Sequence, residues 1–307
     1  MKTKTMMIRH LFITWLLMAC CPLVATAQGV VFVDKMLDEA LALAKKEGKM
    51  VFVDCYGTYC PPCKKMLVEE FPKKEMGDYL NKGFISVKYN LDNEPYKKLS
   101  KQWEVSMYPT FVFLNSDGEL LYRMVGFREA DKFIAEAKKG IAENKIGKLV
   151  SQYKGGDRSW GFMTTYLKEL ERMRMREDAH KIAMEILAVP TTDLTTNAEA
   201  FDIFSRYVEN PYDEVFLRAN SQRDALVKAY GEKAAKKIDD VWMNYSGHFA
   251  IVDGADFKGY DWDKVHEYQE FMRQHGVRNP EQVEKSLRES WEQYQEMMKK
   301  MQKQQPL

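Results

Sequence analysis

The chain of 307 residues has no excess of charge: 46 Lys and Arg stand against 45 Asp and Glu. Nothing in that balance recruits nucleic acid or an acidic lipid surface. Histidine is sparse. His10, His180, His248, His266 and His275 are scattered, with neither triad nor metal-ligand spacing. Cysteine is scarce too, with five in all, and Cys20 and Cys21 fall within the first 27 residues. The remaining Cys55, Cys60 and Cys63 are far too few for a disulfide scaffold. Such a chain must be held by apolar cores, and its length allows two domains of ordinary size. Asp253, Asp256, Asp261 and Asp263 miss the spacing of a calcium loop and read as loop and helix caps.

The apolar stretch that begins at Leu11–Leu17 and runs toward Ala27 is too short for a membrane span. It follows Lys2, Lys4 and Arg9 and ends in Ala25-Thr26-Ala27, a small-x-small cleavage pattern. Residues 1–27 therefore read as a secretory signal peptide, which makes the protein exported and, by expectation, periplasmic. The rival reading takes Leu17-Met18-Ala19-Cys20 as a lipobox that anchors Cys20 to lipid. Met18 is atypical there, and no polar tether follows.

From 28 to 148 helical and strand periods alternate. Met36, Leu37, Ala40, Leu41 and Ala44 keep helical spacing before a stop at Gly48. Strands are expected at Met50–Tyr56, Phe84–Asn90, Thr110–Leu114 and 119–125, and helices from Cys60 to about Phe71 and at 75–81, 95–103 and 130–144. Asn115-Ser116-Asp117-Gly118 signals a hairpin. Beyond 148 the pattern becomes helical only. Stripes such as Met163, Tyr166, Leu167 and Leu170, or Val283, Leu287, Trp291, Tyr294, Met298 and Met301, suggest stacked helical hairpins over 149–307. Gly254–Asp261 reads as a loop, and residues 297–303 read as a solvated helix end.

The most informative stretch is Val51–Lys65, VFVDCYGTYCPPCKK. An apolar, β-branched run suits a buried strand. Pro61 suits the first position of a helix, where its missing N–H is no loss. Met66 and Leu67 fall three and four residues after Cys63 and are expected to share its inward face. Cys60 thus arrives at a helix N-terminus, where amide dipoles favour a thiolate. A second thiol beside it meets the requirement for disulfide exchange. Neither another CxxC nor a His pair completes a zinc site, and Lys64 after Cys63 excludes a haem attachment pattern. Cys55, one residue from Asp54 on an alternating strand, reads as a core thiol. An acid inside VFVDC is unusual enough to suggest function. Lys88, taken by itself, reads as a solvated edge lysine.

Several separated motifs, in order, make 29–144 resemble the thioredoxin family. Asp54 lies six residues before Cys60, Lys88 sits within VKYNLD, and Met107-Tyr108-Pro109-Thr110 matches the loop that carries a cis-proline. Gly118 and Gly126 match the hairpin and post-strand glycines. The run from Phe71 through FISVKYN is similar to exported variants such as the C-terminal domain of the membrane reductant DsbD. The resemblance implies an α/β thioredoxin fold, a central mixed sheet flanked by helices, followed here by an all-α domain it does not cover.

It also implies roles. Cys60 attacks a substrate disulfide, Cys63 resolves the mixed disulfide, Asp54 exchanges a proton with Cys63, and Lys88 moderates Asp54. Tyr59, Pro61, Pro62, Tyr108 and Pro109 line the substrate groove, where an extended client pairs as in strand addition. No cofactor or metal is implied beyond the redox-active pair. The partners implied are disulfide-containing exported proteins and an inner-membrane electron donor.

The sequence departs from the family pattern at Tyr56, Tyr59 and Pro61. Neither Pro61 nor Pro62 offers an N–H to a Cys60 thiolate, and no histidine sits between the cysteines, so a reducing centre is expected. Two rivals are an isomerase whose helices hold clients and a binding protein built on an inert thioredoxin scaffold.

Overall fold

A computed structural model describes residues 29–253 and 256–304. The readings of a leader and of a lipid anchor at Cys20 lie outside the described residues. The chain separates into two compact units: one ends at Gly156 and also holds Arg172–Met175; the other holds Asp157–Glu171 and the chain from Arg176 onward.

In the first unit α1 (Leu37–Glu47) leads to β1 (Met50–Tyr56), and α2 (Pro61–Lys65) runs into a π turn, Met66–Glu70. Then follow α3 (Lys74–Gly83), β2 (Phe84–Asn90), α4 (Lys97–Gln102), β3 (Thr110–Leu114), β4 (Leu120–Val125), α5 (Ala130–Glu143) and α6 (Lys145–Lys154). The sheet order is β2-β1-β3-β4. β1 pairs parallel with β2 and antiparallel with β3, and β3 pairs antiparallel with β4. This is the mixed thioredoxin-like sheet the sequence implied.

Helices cover both faces, so the inner strands read as continuous apolar runs rather than alternating ones. Odd positions of β1 (Val51, Val53, Cys55) pack with Ala40, Ala44, Val87, Leu99 and Trp103. Phe52, on the opposite face, packs with Phe71, Phe111, Phe113 and Phe133. Between β3 and β4, Asn115 Oδ1 accepts from the amides of Asp117 and Glu119. Gly118 takes the left-handed position there, φ 85°.

The second unit is helix-rich. It comprises α7 (Trp160–Arg172, whose last residue counts with the first unit), α8 (Arg176–Ala188), α9 (Ala198–Tyr207), α10 (Glu214–Ser221), α11 (Arg223–Tyr230), α12 (Glu232–Asn244), α13 (Trp262–Gln274) and α14 (Glu281–Gln304). The expected stripes are buried: Met163, Leu167 and Leu170 on α7, and Ala179, Ile182, Ala183 and Ile186 on α8. On α14 the stripe fades, from buried Val283 and Leu287 to exposed Met301. One addition corrects the helix-only reading. Ala250–Asp253 (β5) and Asp256–Tyr260 (β6) pair antiparallel, where the sequence suggested a loop. Phe257 of β6 packs edge-on against Trp291 and Tyr294 of α14, each with ring centroids 5.1 Å apart. That aromatic contact supplies the apolar face two such short strands lack alone.

Candidate active site

β1 delivers its C-terminal end to a loop, Gly57-Thr58-Tyr59, that stops at Cys60. Cys60 is the N-cap of α2 and its sulfur accepts the Cys63 N–H at 3.2 Å. With prolines at the first two helical positions, Cys63 supplies the first amide of the helix able to reach that sulfur. The two cysteines are joined as a disulfide, their Cα atoms 5.3 Å apart. Cys60 is half-buried and Cys63 is buried. Tyr59, Pro61 and Pro62 stand exposed around the pair, Tyr59 at 96% of its full surface.

The helix after Cys63 departs from the expected face. Met66 is buried as read, but Leu67 and Val68 are exposed. The π turn over Met66–Glu70 changes the angular step. It brings Glu70 and Phe71 inward in place of Leu67. The buried Glu70 carboxylate accepts the Ala130 N–H at 2.8 Å and pairs with Lys73 at 2.6 Å, so it caps the start of α5.

Asp54 is 4% exposed, and its Oδ1 has no hydrogen-bond partner. Burial pushes its carboxyl up to about 7, and the Lys88 charge only partly offsets this. Lys88 faces Asp54 in the β1–β2 register, but its side chain is exposed and its ammonium lies 5.7 Å from the Phe32 ring centroid. Among the described residues the two form no ion pair. Lys88 therefore acts on Asp54 through space. Cys55 is fully buried on the other face of the strand, and burial pushes its thiol well up.

The Tyr108–Pro109 peptide is cis, as the resemblance implies. Pro109 is buried and Tyr108 half-buried. One residue here was missed in the sequence. Asp92, in the loop after β2, accepts the Thr58 N–H at 2.7 Å through one oxygen and the Tyr108 hydroxyl at 3.1 Å through the other. These bonds hold its carboxyl below the ordinary range, that from the Thr58 amide most strongly. Asn90 adds a bond to the Thr58 hydroxyl at 3.1 Å, and its Oδ1 accepts the Asp92 amide. The loop before Cys60 and the loop before Pro109 are thus tied through one carboxylate. The only local sign was the Asn-x-Asp spacing of an Asx turn, which says nothing about partners 34 and 16 residues away.

Among the described residues, no group of three or more His, Cys, Asp or Glu side chains could hold a metal ion. A capped disulfide at a helix start, a buried acid with a pKa near neutrality and a proline loop together define a centre for thiol–disulfide exchange.

Comparison with known proteins agrees. The sequence profile of the thioredoxin-like domain matches residues 37–141. Thioredoxin-1 of Drosophila melanogaster is 30% identical over 100 residues, which span 33% of this chain and 85% of that protein. DsbD of Vibrio cholerae, a thiol:disulfide interchange protein, is 33% identical over 102 residues, 32% of this chain and 17% of that one. A solved candidate disulphide-isomerase from Bacteroides thetaiotaomicron is 36% identical, covering 39% of this chain and 98% of that one, with a TM-score of 0.36. The chain belongs to the thioredoxin family, and its Cys60–Cys63 pair is that of a thiol–disulfide oxidoreductase.

Proposed function

We propose that the protein is an exported protein-disulfide reductase. In its dithiol form the Cys60 thiolate attacks a client disulfide, forming a mixed disulfide and releasing one client thiolate. Cys63 then gives its proton to the Asp54 carboxylate and attacks the Cys60 sulfur. The second client sulfur leaves and the Cys60–Cys63 disulfide forms. The client gains two electrons and the enzyme loses two, so a dithiol donor must restore the pair. An inner-membrane donor fits an exported protein.

The observation that carries the reading is Asp54, buried on the strand that leads to Cys60, with its carboxyl raised to about 7. A general base serves best when its pKa lies near the working pH. The direction of flow follows from the two prolines. A strong oxidant needs a heavily stabilised thiolate, and here a single helical amide caps the sulfur.

Insulin reduction with dithiothreitol as donor tests the function. Turnover is expected from the native protein and none from Cys60→Ser, while Cys63→Ser should accumulate mixed disulfides with client. A native protein without turnover would leave only the scaffold reading. Repair of a scrambled client without added reductant would move the assignment to an isomerase.

A further inference from the structure

Met107, two residues before Pro109, is 45% exposed, and its sulfur accepts a hydrogen bond from the Arg174 guanidinium at 3.3 Å. Arg174 comes from the turn Arg172–Met175, which belongs to the first unit although it lies in the helical part of the chain. It takes a left-handed backbone, φ 56°, an uncommon choice for an arginine. The turn is fixed by Arg123 of β4, which is 2% exposed. Arg123 donates through one Nη to the Met173 carbonyl and through the other to the Glu104 carbonyl at 2.9 Å. Glu104 is itself left-handed, φ 48°, and opens the loop that runs to Met107 and Pro109. A buried guanidinium thus joins two constrained turns, one carrying the proline loop and one carrying Arg174.

The Arg174 side chain is exposed, and among the described residues it meets no carboxylate. Among the described residues this positive charge, held against a thioether beside the loop on which the client is proposed to pair, is matched by no carboxylate. We propose that Arg174 is a specificity residue, recognising a carboxylate of the client close to its disulfide. The preferred client is then an extended segment with acidic residues flanking the scissile sulfurs. This rests on the reductase reading and names its substrate class.

Two synthetic peptides test it, each with one intramolecular disulfide, one flanked by glutamates and the other by lysines. For the native protein kcat/KM should favour the acidic peptide about threefold, the scale of an exposed ion pair, and the preference should vanish in about 1 M salt. Arg174→Gly, which a left-handed backbone accepts without strain, should abolish the preference, and Arg174→Glu should reverse it. Equal rates with native protein, or the same ratio in both variants, would overturn the assignment and leave the reductase reading standing. Reduction of neither peptide would remove both.

Discussion

In the proposed cycle Asp54 is the one side chain that moves a proton. Its carboxyl is raised to about 7 because burial penalises the charged form more than Lys88 rescues it. An acid raised in the folded state binds its proton more tightly there than when unfolded. Its stabilising contribution is therefore complete below the unfolded value, about 3.9, and is lost as pH rises through 7. Asp54→Asn should make the protein more stable at pH 8 by up to roughly 4 kcal/mol and should change little at pH 4; denaturant titrations at the two pH values measure this. The same variant should slow release of the mixed disulfide and lose the inflection near pH 7 in the rate profile. An unchanged profile would remove Asp54 from the proton path.

Asp54 was legible because an acid inside an apolar strand is conspicuous. Asp92 was not, since an acid in a polar loop is ordinary and its partners are distant in sequence. Asp92→Ala should free both loops and lower kcat/KM with insulin, by about tenfold if positioning is lost. An unaltered rate would make Asp92 merely an ornament of the loop.

At the scale of elements, the strands that carry the site were readable almost to the residue, because apolar runs bounded by Gly, Asp and Pro leave little latitude. The π turn after Cys63 was not. Its cause is tertiary: Glu70 is drawn in to cap α5, and no local pattern in Met66–Glu70 announces that. The β5–β6 hairpin escaped for a similar reason, since its apolar contact is with Trp291 and Tyr294 far along the chain.

Packing between elements gives two further expectations. A Cβ at Gly57 would fall 2.5 Å from the Tyr108 ring, so Gly57→Ala should cost about 1–3 kcal/mol and disturb client reduction together with stability. Phe133 of α5 is fully buried, its ring 5.1 Å from Phe111 and 5.8 Å from Phe52. Phe133→Ala should cost about 3–5 kcal/mol by urea denaturation, without altering the relative rates of different clients in protein that remains folded.

For the whole molecule, the boundary between units is not a single cut in the chain. The first unit takes back Arg172–Met175, and Arg123 reaches the Met173 carbonyl. A chain ending at residue 156 should therefore fold but lose about 1–3 kcal/mol, as the Arg123 guanidinium is left short of an acceptor. Equal denaturation midpoints for that chain and for the first unit of the full protein would contradict this. A linear boundary at 148 was the natural reading of a sequence whose period changes there, and a four-residue return could not be seen in periodicity.

The proposed function turns on the direction in which the Cys60–Cys63 pair passes electrons. The most direct measurement is its standard potential, by equilibration of the full chain with glutathione or dithiothreitol buffers. A reductase should have a value below about −200 mV, toward the thioredoxin potential of about −270 mV. A value above that limit, toward the −120 mV or so of a strong oxidant, would contradict it.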